Sequence, residues 1–237
     1  MSHHLLEARD LRHIYPDGTE ALAGVSFTIR HGESVALIGA NGAGKSTLLL
    51  HLNGTLKAVG GEVRVGDLPL NPDTIHEIRR VVGMVFQDPD DQLFMPTVLE
   101  DVAFGPRNLG LAPAEAESRA QAALGRVGAE HLARKAPYHL SAGEKRRCVL
   151  AAVLAMGPDI LVLDEPSTGL DPRGRRLLIA LLQEFTHTKL IATHDLDLVK
   201  QLCSRTLVLH HGQIRADGPT AQVFADPDLL ESCGLDG

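Results

Sequence analysis

The stretch Gly39-Ala40-Asn41-Gly42-Ala43-Gly44-Lys45-Ser46-Thr47 sits between a short apolar run, Ser34 to Ile38, and a leucine-rich segment from Lys45 to Leu52. Its spacing, G-x-x-x-x-G-K-[ST], constrains the fold more than any other feature of the chain, because it works only where a strand passes through a tight loop into a helix. In that setting the glycines let backbone N–H groups converge on phosphate oxygens at the helix N-terminus. Gly39, Asn41, Gly42, Ala43 and Gly44 are expected to form the cradle. Lys45 would neutralise the β- and γ-phosphates of a nucleotide, the Ser46 hydroxyl would ligate Mg²⁺, and the Thr47 hydroxyl and amide would hold the α-phosphate. The apolar run before it and the helix after it set this loop apart from an ordinary glycine-rich turn.

Two carboxylates close a second apolar run, Ile160-Leu161-Val162-Leu163-Asp164-Glu165. A buried parallel strand ending this way presents both acids at the C-terminal sheet edge, where the phosphates are expected. Asp164 would hold Mg²⁺ directly or through water, and Glu165 would take a proton from the water attacking the γ-phosphate. His194, after Leu190-Ile191-Ala192-Thr193, is expected at the same edge, within reach of the γ-phosphate. Gln87, after Val81 to Phe86, is placed to complete the Mg²⁺ shell. Either residue alone would be an unremarkable turn residue. For Tyr15, stacking on adenine and a buried or turn role both remain open.

Leu140-Ser141-Ala142-Gly143-Glu144 precedes a helical stretch, Ser141 to Met156. Ser141 and Glu144 have capping-box spacing, which is a sufficient structural reason for both residues. A capped helix whose N-terminal amides face outward is also an anion site. The two readings are compatible.

Around these motifs the first third reads as β-rich, with Leu5 to Tyr15, the turn Pro16-Asp17-Gly18, and Val25, Phe27 and Ile29 in alternation. β character vanishes from Thr97 to Pro137, where Ala114 to Val127 is Ala-rich and charge-studded and Pro113 suits a helix start. Afterwards the pattern returns to helix and strand in turn: Ile160 to Asp164, Arg173 to Phe185, Leu190 to Thr193. A hairpin from Arg205 to Asp217 and a short acidic tail follow. This alternation implies parallel βαβ units. The expectation is one domain over 1–237: an α/β P-loop NTPase core with an antiparallel β subdomain and an α-helical subdomain inserted at about 97–156.

Composition excludes several other classes. A formal net charge of −7 argues against a nucleic-acid surface over the whole domain, and an aromatic content of 3% without Trp argues against base stacking. The longest apolar stretches fall well short of the roughly 20 residues that span a bilayer. With no cationic, apolar leader after Met1, the chain is expected to stay in the cytoplasm. Cys148, Cys203 and Cys233 lack Cys-x-x-Cys spacing and suit reduced, structural thiols. The 12 histidines are scattered, and only His194 is given a role.

Taken together, these residues resemble the ATP-binding-cassette (ABC) family over almost the entire chain. In that family's terms Gly39 to Thr47 looks like Walker A, Gln87 the Q-loop, and Leu140 to Glu144 the signature. Ile160 to Asp164 looks like Walker B, Ser167 to Asp171 the D-loop, and His194 the switch histidine. The resemblance implies hydrolysis of ATP by a head-to-tail dimer, Ser141, Ala142, Gly143 and Glu144 of one subunit contacting the ATP held by the other. Signatures in this family commonly read L-S-G-G-Q. Here Ala142 adds a methyl group and Glu144 adds charge near phosphate, unless its carboxylate turns back onto the helix.

A narrower similarity rests on Tyr15 to Gly18, Gly83 to Phe94 and Thr97 to Pro106. These segments look like the ATPases of energy-coupling-factor importers, especially the cobalt and nickel branch called CbiO. That likeness implies a homodimer, or a heterodimer with a related ATPase, on an integral membrane scaffold with a substrate-capturing membrane subunit. The chain itself would hold no transported ion, bind no nucleic acid, and sit peripherally on the cytoplasmic face of a bacterial or archaeal membrane. Asp88 to Phe94 would suit docking of a membrane partner, or form a solvated loop. The competing class is a soluble ABC ATPase acting on nucleic acid or ribosomes. Such proteins often carry tandem cassettes or long inserted domains, whereas this chain has one motif set and a modest helical insertion.

Overall fold

A computed structural model describes residues 4–235. The chain opens with two long strands, β1 (His4–Ile14) and β2 (Glu20–Arg30), joined by a turn in which the Gly18 amide donates to the Tyr15 carbonyl at 2.9 Å. Val25, Phe27 and Ile29 of β2 point inward and are buried, as the period of two requires. β3 (Ser34–Ile38) then leads through the glycine loop into α1 (Lys45–Leu52). β4 (Gly60–Val65) and β5 (Leu68–Pro69) return to the first layer, an antiparallel sheet ordered β2-β1-β4-β5.

α2 (Ile75–Val81) runs directly into β6 (Val82–Val85), so Val81 ends a helix and does not begin the strand. Three helices follow: α3 (Val98–Asn108), α4 (Pro113–Arg126) and α5 (Ala142–Ala155). Pro113 stands at the first helical position of α4, and the Thr97 hydroxyl caps α3 by accepting from the Glu100 amide. α5 buries residues all round its C-terminal half, from Cys148 to Ala155, because it is wedged between α3, α4 and the sheet strand β6. The remaining order is β7 (Ile160–Asp164), α6 (Pro172–Glu184), β8 (Thr188–Ala192), α7 (Leu196–Leu202), β9 (Arg205–His210) and β10 (Gln213–Pro219). The tail is not extended: α8 (Thr220–Val223) and α9 (Pro227–Ser232) fold it back, with Cys233 and Leu235 buried.

The second sheet, ordered β10-β9-β3-β8-β7-β6, is parallel from β9 to β6, with β10 antiparallel at one edge. Its central strands are buried on both faces, which explains their unbroken apolar runs. Alternate residues serve two cores. Leu161 and Leu163 of β7 face the core shared with α3, α4 and α5, while Ile160 and Val162 face the core shared with the antiparallel sheet. Register then positions the chemistry: Leu37 pairs with Ala192, and Ala192 with Asp164. Whatever follows β3, β7 and β8 therefore emerges at one sheet edge. Among the described residues no helix is long and apolar enough to cross a membrane.

Candidate active site

The loop after β3 is pressed against two neighbouring backbones. A Cβ on Gly39 would lie 2.3 Å from the Leu209 carbonyl oxygen, and one on Gly44, at φ 104°, would lie 2.4 Å from that of Ala21. No side chain fits at either position without moving backbone. The Gly212 amide, at the β9–β10 turn, donates to the Ala43 carbonyl at 3.1 Å and holds the loop from the other side. Asn41 and Gly42 are exposed at the tip. Lys45 arches back over the loop, its Nζ donating to the carbonyls of Gly39 (2.7 Å) and Ala40 (3.1 Å). Burial pulls the Lys45 pKa below the usual lysine value, against the opposing attraction of Glu165 and Asp164.

At the end of β7, Asp164 is buried and its Oδ1 has no hydrogen-bond partner among the described residues. Burial raises its pKa, while a hydrogen bond from Ser46 works in the opposite direction. A buried, unpaired carboxylate oxygen beside a hydroxyl is the oxygen-rich environment a hard cation such as Mg²⁺ requires, and Ser46, Asp164 and Gln87 fit such an ion. Glu165 follows in the left-handed region, at φ 47°. That conformation costs roughly 1–2 kcal/mol for a non-glycine residue, and here it is pinned at both ends. The Glu165 amide donates to the Ala192 carbonyl at 2.8 Å, and the Glu165 carbonyl accepts from Nη1 of Arg146 at 2.6 Å. Its Oε2 accepts from the Thr193 hydroxyl at 3.1 Å and lies 2.9 Å from Nδ1 of His194. The carboxylate is thus buried while the imidazole is two-thirds exposed, at 67%.

Two adjoining clefts share Ser46, Gln87 and Asp164. One, of about 340 Å³, is bounded by Tyr15, the loop and Glu165; the other, of about 740 Å³, by Gln87, Asp88, Arg146 and Thr168. Gln87 leaves β6 on a loop that Gln92 fastens back to the strand, its side chain accepting from the Phe86 amide (2.8 Å) and donating to the Met84 carbonyl (2.9 Å). Tyr15 is half-buried with its hydroxyl 2.9 Å from Oγ1 of Thr47, and both residues line the first cleft.

The structure brings Tyr15, Gly39 to Thr47, Gln87, Asp164, Glu165 and His194 to one edge, but not Ser141 to Glu144. Ser141 caps α5 and the other three open it, outside the lining of both clefts, with Ser141 and Ala142 exposed. The capping box is complete: the Ser141 amide and hydroxyl donate to Oε2 of Glu144 at 2.8 Å each, and the Glu144 amide donates to the Ser141 hydroxyl at 3.4 Å. These bonds hold the Glu144 carboxyl below its usual pKa, led by the one from the Ser141 amide. The charge introduced at this signature position is therefore turned back onto its own helix.

Sequence reasoning missed Arg146. Its guanidinium donates to the Glu165 carbonyl and, from Nη2, to the Gln87 carbonyl at 2.9 Å, joining the ends of β7 and β6. The one local signal was its position three residues after Gly143, on the same helix face. Asp195 was also missed; it accepts a fork from Arg175 (2.9 and 3.1 Å) and a bond from the Ser167 hydroxyl (3.2 Å). Through Ser167 and Arg175, Asp195 ties the loop after Glu165 and the first turn of α6 to the turn after His194. Among the described residues, no group of three or more His, Cys, Asp or Glu side chains is arranged to hold a metal ion.

A family model described as ABC transporter matches residues 22–168. A protein of Geobacter sulfurreducens whose name places it among ABC transporter ATP-binding proteins is 64% identical over 236 residues, covering 100% of this chain and 95% of its own. The energy-coupling factor transporter ATP-binding protein EcfA of Methanothermobacter thermautotrophicus is 48% identical, over 98% of this chain and 76% of its own. The structure of CbiO1 from Clostridium perfringens, part of the ABC transporter complex CbiONQ, superimposes with a TM-score of 0.82 at 40% identity, over 99% of this chain and 96% of that one.

Proposed function

We propose that this chain, which belongs to the ABC transporter family of ATP-hydrolysing proteins, powers an energy-coupling-factor importer for cobalt or nickel ions. The observation that carries the enzymatic part is the buried Glu165 carboxylate, paired with His194 and set beside the phosphate loop and the unpaired oxygen of Asp164. Likeness to EcfA and to CbiO1 supports the importer part. The whole chain acts as one ATP-binding domain, with the helices of residues 97–156 as its inserted lobe.

In this reading the loop amides from Gly39 to Thr47 and the Lys45 ammonium bind the phosphates, and Tyr15 carries the adenine. Ser46, Gln87 and Asp164 would hold Mg²⁺, which when bound neutralises charge on the β- and γ-phosphate oxygens. Glu165 orients the attacking water and takes its proton; His194, anchored through Nδ1, presents its other nitrogen to the γ-phosphate. Ser141 to Glu144 lie outside the chain's own clefts, which supports their use by a second subunit placed head-to-tail. Closure of that pair on ATP moves the surface from Gln87 to Phe94, where an integral membrane scaffold and a substrate-capturing subunit dock on the cytoplasmic face.

Two measurements test this. Purification of the tagged chain from detergent-solubilised membranes should recover small integral membrane proteins, with ATP-dependent Co²⁺ or Ni²⁺ uptake in the same cells. Recovery of ribosomal or DNA-repair proteins without a membrane partner would reject the importer in favour of a soluble ABC ATPase. Ser141→Ala should weaken ATP-dependent dimerisation while each subunit still binds ATP. Loss of the cap costs about 1 kcal/mol, so thermal unfolding is followed alongside sedimentation. Unchanged ATP-dependent dimers would sink the head-to-tail arrangement.

A further inference from the structure

Two of the scattered histidines meet behind the nucleotide cleft. His13 of β1 and His51 of α1 are 8% and 1% exposed, with Nδ1 of His13 3.1 Å from Nε2 of His51. Nδ1 of His51 lies 2.7 Å from the Thr47 carbonyl oxygen. A carbonyl only accepts, so His51 carries its proton on Nδ1; a neutral His51 then accepts at Nε2, and His13 must donate from its own Nδ1. Burial lowers the His51 pKa, which favours the neutral ring. His13 also meets Tyr15 edge-on, with centroids 4.7 Å apart and planes at 81°. The Tyr15 hydroxyl returns to Oγ1 of Thr47 at 2.9 Å.

These contacts close a ring that runs from the Thr47 carbonyl through His51, His13 and Tyr15 to the Thr47 hydroxyl. It bridges the antiparallel sheet, which carries His13 and leads into Tyr15, and the helix that carries the phosphate loop. Neither imidazole lines the clefts where chemistry would occur. Burying two imidazoles where leucines would pack costs desolvation, and in return fixes direction, since hydrogen bonds and edge-on ring contacts are angular where apolar packing is not.

We propose that His13 and His51 are positioning residues that set the Tyr15 ring, and with it the base subsite, at a fixed orientation to the phosphate loop. This rests on the reading of Tyr15 as the adenine platform.

The test is calorimetric titration of the full-length chain with Mg-ATP and, separately, with magnesium tripolyphosphate, which has no base. His13→Phe and His51→Phe should each weaken ATP binding by roughly three- to tenfold, the size of one lost hydrogen bond, and leave tripolyphosphate binding unchanged. His51→Gln, whose side-chain oxygen still accepts from His13, should recover part of the ATP affinity and provides a milder variant should phenylalanine prevent folding. Equal losses for ATP and tripolyphosphate would mean general loosening of the loop and would overturn the assignment. So would unchanged ATP affinity in both phenylalanine variants while Tyr15→Ala loses it. If Tyr15→Ala binds ATP as tightly as the natural chain, the platform reading itself fails and the positioning role falls with it.

Discussion

Glu165→Gln is expected to bind ATP with near-natural affinity and to hydrolyse it roughly 10²- to 10⁴-fold more slowly, the range for loss of a general base. The substitution is nearly isosteric, and the surroundings of Glu165 explain why it isolates chemistry from binding. The backbone bonds to Ala192 and Arg146 do not involve the side chain, so they persist and keep the residue in its left-handed conformation. A glutamine oxygen still accepts from the Thr193 hydroxyl, as Oε2 does now at 3.1 Å. What disappears is the basic carboxylate, buried at 6% exposure and oriented by His194. ATP affinity by calorimetry and turnover by phosphate release separate the two effects. Hydrolysis at near-natural rates would remove Glu165 from the role of base.

The second large effect is expected at Arg146, which no motif reading had singled out. Arg146→Met keeps the aliphatic stem on the helix face but removes both bonds, to the carbonyls of Glu165 (2.6 Å) and Gln87 (2.9 Å). Hydrogen bonds from a charged donor contribute about 1.5–3 kcal/mol each. If one such contribution is felt as misplacement of Glu165 in the transition state, turnover falls roughly 10- to 100-fold. ATP affinity should change far less, because the phosphate loop is built from β3 and α1 and does not touch Arg146. Arg146→Lys should rescue only weakly, since an ammonium is a point donor and does not reproduce the fork. Turnover of the methionine variant within about twofold of the natural chain would show that the ends of β6 and β7 hold their places without it.

These two residues differ in how they could be found. The position of Glu165 was legible because its signal is contiguous in the chain: an apolar run ends in two acids, Asp164 and Glu165. Gly39 to Thr47 was legible for the same reason. The Ser141–Glu144 box was legible down to its bonding pattern, because a helix cap is completed within three residues of itself. The β-rich first third, the alternating strands and helices of the core, and the helices near Ala114 to Val127 and Ser141 to Met156 followed from composition and periodicity in segments long enough to show them; α3 was legible only as part of a helical insertion. α2, α7, α8 and α9 span seven residues or fewer, too short for a helical period to stand out.

Arg146 stood among three consecutive basic residues, Lys145 to Arg147, with nothing to set it apart; its two acceptors lie 19 and 59 positions away. His13 and His51, 38 positions apart, belonged to a set of histidines with no pattern at all. Sequence by itself determined the elements whose signal is contiguous in the chain: the glycine loop, the acidic strand end, the Ser141 cap and the apolar runs of the buried strands. Only the tertiary structure decided which buried polar groups became partners. A buried donor must find an acceptor somewhere, and which one lies within about 3 Å is set by how helices and sheets pack, not by residues adjacent in the chain.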